Sequence, residues 1–234
     1  MLLVGDIHGE YRKFERALEL SQYDPSADAL ILLGDLIDRG PDSEDHAYWL
    51  SRKDVIRILG NHEMMPGMLL SRIISRKTAI AWGGAWFVDK DEDDLQSLSR
   101  ALTDAPIALT LTTPHGRTVG VVHADCSKDW GRHVLVLEDH THLRHRDVRE
   151  LSLWERGSFK DAQIGRVEDC RVTGVDHVFH GHSPVEEVLT CANRTWVDTG
   201  ACYGGKVTIL DVDRWLDDMN AGGISGGGGG LFAA

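Results

Sequence analysis

Gly34-Asp35-Leu36-Ile37-Asp38-Arg39-Gly40 follows directly on the apolar run Ala29-Leu30-Ile31-Leu32-Leu33. A short apolar run closed by glycine reads as a buried strand, so one strand delivers two acids and an arginine into a single tight loop. Two carboxylates that close repel by about 4 kcal/mol at ~4 Å and an effective dielectric near 20. Such crowding is expected where cations or cationic side chains are also held. Two further stretches repeat the arrangement, each just after an apolar run: Gly5-Asp6-Ile7-His8-Gly9 upstream and Gly60-Asn61-His62-Glu63 downstream.

The segments between these loops give the fold class. Leu2 to Val4 is a short apolar strand, and 10–22 reads as a helix with Tyr11, Phe14 and Leu18 on one face before Asp24-Pro25 ends it. A helix over 41–50 and a strand over 55–59 follow. This β-α-β-α-β order is that of a mainly parallel sheet covered by helices, an α/β class.

Beyond Pro66 the pattern is helical, with Leu69, Leu70, Ile73 and Ile74 as its stripe. Asp91-Glu92-Asp93-Asp94 ahead of Leu95, Leu98 and Leu102 reads as the dipole-favoured start of a helix, not as a metal site. Strands over 107–111 and 118–122 pair around Thr113-Pro114-His115-Gly116, and the second runs straight into His123. In 130–168, His140, His142 and His145 lie among Arg144, Arg146 and Arg149, which reads as a solvated basic face, with a rim contact for an anionic substrate as the alternative. A strand over 175–179 ends at His180-Gly181-His182, and closing strands are expected over 195–197 and 206–210. The low-complexity stretch 222–230 reads as a flexible tail with no catalytic role.

With 234 residues, 42% apolar and 26% charged, the chain can bury a full core as one α/β unit. A net charge of −12 argues against a general nucleic-acid binder, which needs cationic surface to displace counterions. It leaves room for an anionic substrate in a locally positive cleft. No apolar run reaches the ~18 residues of a membrane span, and Asp6 and His8 interrupt any secretory signal pattern. Cys126, Cys170, Cys191 and Cys202 form no Cys-x-x-Cys pair, so a reduced, cytoplasmic setting is expected.

Ligands of open α/β sheets gather outside the carboxyl ends of strands, and Asp6, His8, Asp35, Asn61, His123 and His182 all fall there. Oxygen and imidazole donors without thiolate suit manganese, iron or zinc. A catalytic zinc normally takes three protein ligands, so this set instead suits two ions about 3.5–4 Å apart sharing a carboxylate, with Asp35 as the natural bridge.

The three glycine-flanked loops are similar to the signature motifs of the phosphoprotein phosphatase family of metallophosphoesterases, and the chain most resembles its bacteriophage-lambda type. Supporting stretches are Trp82-Gly83-Gly84-Ala85-Trp86-Phe87, Val122-His123-Ala124-Asp125, Leu153-Trp154-Glu155-Arg156, Gly181-His182-Ser183-Pro184 and Asp198-Thr199-Gly200-Ala201. The resemblance implies a calcineurin-like fold, a mixed β-sandwich flanked by helices, with the site at the C-terminal strand ends. It implies one domain over 1–213 and a C-terminal extension over 214–234. It further implies that Asp6, His8 and Asp35 hold one divalent ion and that Asp35, Asn61, His123 and His182 hold another, manganese being expected, with iron and zinc as alternatives. Arg39 and Arg156 would grip the phosphoryl oxygens. His62, oriented by Asp38, would protonate the leaving oxygen during in-line attack of a metal-bridging hydroxide. His180 is left to pack or to support the ligands.

The implied activity is a serine/threonine protein phosphatase, with dual specificity open, acting on a phosphorylated protein or peptide. The alternatives are a dinucleoside polyphosphate hydrolase and a non-catalytic phosphate-binding module. Asp38 before Arg39, and Glu63 after His62, resemble the protein-phosphatase branch more. No counterpart of the C-terminal tyrosine-bearing loop of eukaryotic relatives is evident in the sequence.

Overall fold

The computed structural model describes residues 1–222 and 230–234. The first half runs β1 (Leu2–Val4), α1 (Tyr11–Ser21), β2 (Leu30–Leu32), α2 (His46–Ser51), β3 (Val55–Arg57), α3 (Met65–Leu70), α4 (Arg76–Ala81) and α5 (Glu92–Thr103). A hairpin, β4 (Ala108–Thr112) and β5 (Thr118–Val122), leads to α6 (Trp130–Glu138), α7 (His145–Trp154), α8 (Gly157–Gln163) and α9 (Val167–Cys170). The chain closes with β6 (His177–His180), β7 (Leu189–Cys191), β8 (Arg194–Trp196), β9 (Thr208–Asp211), α10 (Val212–Asn220) and β10 (Leu231–Ala233).

Among the described residues the strands form two sheets of five, in the orders β10-β9-β1-β2-β3 and β4-β5-β6-β8-β7. β1, β2 and β3 are parallel, with Leu3 opposite Ile31 and Ile31 opposite Ile56. Alternation along the strands decides the layers. Leu3, Ile31 and Leu33 point between the sheets and meet Val119, Val121, Phe179 and Val197. Leu2, Val4, Leu30 and Leu32 point the other way, against Phe14 and Ala17 of α1 and Leu98 and Leu102 of α5. The calcineurin-like sandwich expected from the motifs is the architecture found.

Three local expectations change. The helix expected over 41–50 splits into a 3₁₀ turn, Ser43–Asp45, and α2. Gly40 N bonds His8 O at 2.8 Å, which ties the segment before it to the first loop and delays helix growth. The stripe from Leu69 to Ile74 is cut after Leu70, because Arg72 turns left-handed at φ 57° and leaves Ile73 exposed. The C-terminal stretch contains two unforeseen elements: α10 buries Trp215 and Leu216 against the inter-sheet core, and β10 pairs with β9. Of the expected flexible tail, residues 223–229 lie outside the described residues. Among the described residues, no helix is long and apolar enough to cross a membrane.

Candidate active site

Each strand that ends in the cleft hands its last residues to a sharply turned loop. His8, Asp35, Asp38, Arg39 and His182 all have positive φ, between 49° and 74°. A non-glycine residue there costs roughly 1–2 kcal/mol, so the surroundings must hold the turns. Ile7 N and His8 N both bond Asp35 O, at 3.1 and 2.9 Å, and Arg39 N bonds Gly83 O at 3.1 Å. Glu63, unassigned in the sequence reading beyond its branch resemblance, accepts from Asp35 N, Leu36 N and Gly60 N at 3.0, 2.8 and 2.9 Å. One buried carboxylate thus pins two of the three loops together.

The imidazoles are aimed in a common way. His8 Nδ1 lies 2.9 Å from Ile37 O, His123 Nδ1 lies 2.7 Å from Leu33 O, and His182 Nε2 lies 3.1 Å from Trp154 O. A carbonyl can only accept, so those ring nitrogens carry protons and, in the neutral ring, the opposite nitrogen presents a lone pair. This is how metal-binding histidines are oriented. His123 Nε2 lies 3.0 Å from Asn61 Oδ1 and 3.4 Å from Asp35 Oδ1. His8 Nε2 lies 3.5 Å from Asp35 Oδ2 and 3.9 Å from Asp6 Oδ2, and the Arg39 guanidinium meets it from the other side.

Asp35 is shared by two candidate ligand groups, His8-Asp35-His62 and Asp35-His123-His182, each with ligand atoms within 4.8 Å of one another. The first differs from the expected trio: His62 stands in it where Asp6 was expected. Asp6 instead accepts from His182 N, with both oxygens at 3.0 Å. His62 Nδ1 is taken by Asp38 Oδ2 at 2.8 Å, which leaves Nε2 facing the cleft 3.9 Å from Asp35 Oδ2.

The electrostatics call for positive charge. Burial pushes the Asp6 carboxyl well up, and Asp198 and Asp35 push it further. Burial, reinforced by Asp35, raises Asp198 to about 6. Asp198 belongs to the quoted Asp198-Thr199-Gly200-Ala201 stretch but was given no role. Burial alone would raise Asp35, but His123 and His62 hold it well below the usual range. Burial brings His8 and His182 down to about 3, so both rings are neutral donors of a lone pair. Against its burial, His123 is held above its usual value by Asp35. The Asp6 and Asp35 carboxylates, the neutral His8 and His182 rings and the Asn61 amide oxygen fit divalent cations by charge and by donor type.

The two arginines flank this cluster. Arg39 lies over the Tyr203 ring at 5.3 Å, so a tyrosine from the C-terminal part of the chain packs beside the site. Arg156 donates from Nη2 to His182 O at 3.0 Å. His180 is buried, stacked on Trp196 with ring centroids 5.2 Å apart. His140, exposed, and His145, half-buried, face each other at 3.0 Å on the surface.

The sequence of residues 1–186 matches the family described as calcineurin-like phosphoesterase. The chain belongs to that family. Over 217 residues it is 30% identical to serine/threonine-protein phosphatase 1 of Salmonella typhimurium, covering 90% of each chain. It is also 31% identical over 195 residues to the symmetrical bis(5'-nucleosyl)-tetraphosphatase of Delftia acidovorans, covering 74% of this chain and 67% of that one. Among solved structures, the cold-active protein-tyrosine phosphatase of a psychrophilic Shewanella aligns with a TM-score of 0.59 at 18% identity, covering 91% of this chain and 75% of that one. At that identity the match speaks to the fold alone. As a calcineurin-like metallophosphoesterase, the chain belongs to enzymes that use divalent metals, and its His and Asp groups are placed to hold them.

Proposed function

We propose that this metallophosphoesterase is a protein phosphatase that removes phosphate from phosphoserine and phosphothreonine, with phosphotyrosine as a further substrate to assay. The observation that carries the reading is the Asp38–His62 pair, 2.8 Å apart and buried, opening onto the two ligand groups that share Asp35. Similarity over 90% of both chains to a bacterial serine/threonine phosphatase supports the same substrate class.

In this reading Asp6, His8 and Asp35 hold one divalent ion, and Asp35, Asn61, His123 and His182 hold a second, with manganese as the proposed metal. Bound there, the ions would supply an acidified water and neutralise phosphoryl charge. Arg39 and Arg156 present planar forks that match phosphate oxygens. Asp38 fixes His62 with Nδ1 protonated, so that a proton on Nε2 can pass to the departing oxygen. Arg39 and Arg156, together with divalent ions held by these ligands, would make the cleft positive within a chain of net charge −12, which suits an anionic peptide and not a nucleic-acid surface. All four cysteines are free thiols, which fits the cytoplasmic setting we propose.

The second reading, dinucleoside polyphosphate hydrolysis, rests on the 31% identity to the Delftia enzyme. Phosphate release from a phosphoserine peptide, run beside cleavage of diadenosine tetraphosphate on the same manganese-loaded protein, separates the two. Faster turnover of the peptide supports the phosphatase. Preference for the dinucleotide transfers the assignment, and metal binding without turnover of either makes the chain a phosphate-binding module.

A further inference from the structure

Asp38 is fully buried, and its two carboxylate oxygens have different partners. Oδ2 faces His62 Nδ1 at 2.8 Å, and Oδ1 accepts from Trp86 Nε1 at 2.7 Å. An indole N–H donates and cannot accept, so the direction of the second bond is unambiguous.

The indole is itself held in place. Its ring meets Phe87 edge-on at 5.4 Å, lies 5.2 Å from the His46 ring and carries Lys90 Nζ at 5.8 Å. The loop that bears Trp86 also supplies Gly83 O to Arg39 N at 3.1 Å, so it grips the backbone beside Asp38 as well as the side chain. A carboxylate held at one oxygen can swing, because the terminal torsion of Asp is broad. Held at both, it keeps Oδ2 on the imidazole and keeps His62 in one tautomer and one orientation. Elsewhere the buried indole nitrogens of Trp196 and Trp215 find no hydrogen-bond partner among the described residues. Burying a tryptophan here therefore does not by itself require this bond.

We propose that Trp86 is a positioning residue for proton transfer to the leaving group, acting through Asp38 on His62. The inference rests on the reading of His62 as the general acid. Removing the N–H while keeping a ring, with Trp86→Phe, should hurt the reaction in proportion to how much the leaving oxygen needs a proton. A bond from a neutral donor to a charged acceptor is worth enough for a loss of about 10-fold in kcat.

The test compares wild type, Trp86→Phe and His62→Asn, all manganese-loaded, on a phosphoserine peptide and on nitrophenyl phosphate, whose leaving group needs little protonation. The expected result for Trp86→Phe is a kcat about 10-fold lower on the peptide with KM within about 2-fold, and a clearly smaller loss on nitrophenyl phosphate. Equal losses on both substrates would mark a general structural defect and overturn the inference. If His62→Asn loses equally on both, the general-acid reading itself has failed. If His62→Asn discriminates and Trp86→Phe does not, only the role of Trp86 has failed. Should Trp86→Phe not fold, the indole N–H resonance of Trp86 in the full chain, assigned through its contact with the Phe87 ring, decides the matter. It should lie downfield in wild type and move upfield in Asp38→Ala, and an unmoved resonance overturns the proposal.

Discussion

Arg194 and Asp125 form a buried ion pair, with Nη1 2.9 Å from Oδ1. Neither residue was singled out for a role in the sequence, yet together they tie three parts of the site. Asp125 lies two residues past His123 and accepts from Ser158 N and Oγ at 2.9 and 2.7 Å, just beyond Arg156. Arg194, on β8, also donates to Cys170 O at 2.8 Å and Cys126 O at 3.0 Å. Replacing Arg194 by Met would strand a buried carboxylate and two carbonyls. A broken buried pair costs about 3–5 kcal/mol, and a urea titration of Arg194→Met should show a loss of that order. A loss below about 1 kcal/mol would place the pair among weak, solvent-screened contacts.

His62→Asn keeps a side chain of similar reach but removes the transferable proton. On a phosphoserine peptide kcat should fall by about 10²–10⁴-fold, the usual contribution of general acid catalysis, with metal content nearly intact. Because His62 also falls in one candidate ligand group, metal analysis of the variant matters. Loss of bound metal would move His62 from proton donor to ligand.

Gly60 stands where no side chain fits. A Cβ there would lie 2.3 Å from both the amide nitrogen and Oδ1 of Asp35 and 2.7 Å from Glu63 Oε2. Relief would require moving the loop that carries the shared carboxylate, so Gly60→Ala should weaken metal retention and lower the melting temperature together. An Ala variant with wild-type metal content would show that the two loops can separate without harm.

Acid should unfold the protein through its buried imidazoles. Burial lowers His177 to about 3 and, with help from Arg194, His133 to about 4, and it drives His180 well down. Each folded value lies below the unfolded one near 6.5, so below that pH the unfolded chain binds more protons and stability falls as pH falls. The stabilisation is complete above about pH 6.5 and is lost toward pH 3–4. Asp198, raised to about 6, and Asp6 and Glu63, both raised by burial, act in the opposite sense over part of that range, while the lowered His8 and His182 act with the other imidazoles. Urea midpoints in the presence of a chelator should therefore be lower at pH 4.5 than at pH 7.5. The reverse order would mean that the carboxylates dominate.

What the sequence showed and what it hid divides along physical lines. The three loops were legible because glycine, acid and histidine recur just after apolar strands, and each loop needs those residue types locally. The sandwich followed from the motifs, and alternation in Leu2-Leu3-Val4 is what the two faces of β1 use. Glu63, Asp125 and Asp198 lie in motif stretches, but their roles, like that of Arg194, were hidden because partners lie far along the chain, as with Asp125 and Arg194. The position of Asp6 beside His182 N is of the same kind. The helix α10 was missed for a different reason: Val212, Trp215, Leu216 and Met219 carry a helical stripe that was in plain view. The glycine-rich stretch after it drew the whole terminus into the tail.

The claim on which the account turns is that Asp35 is held in common by two divalent cations. The direct measurement is the manganese content of wild type and Asp35→Asn after reconstitution and removal of loose metal. The account predicts about two equivalents per chain for wild type, as in two-metal sites, and loss of both in Asp35→Asn with the fold retained. An Asp35→Asn protein that still holds two ions, or a wild type that binds only one, would contradict it.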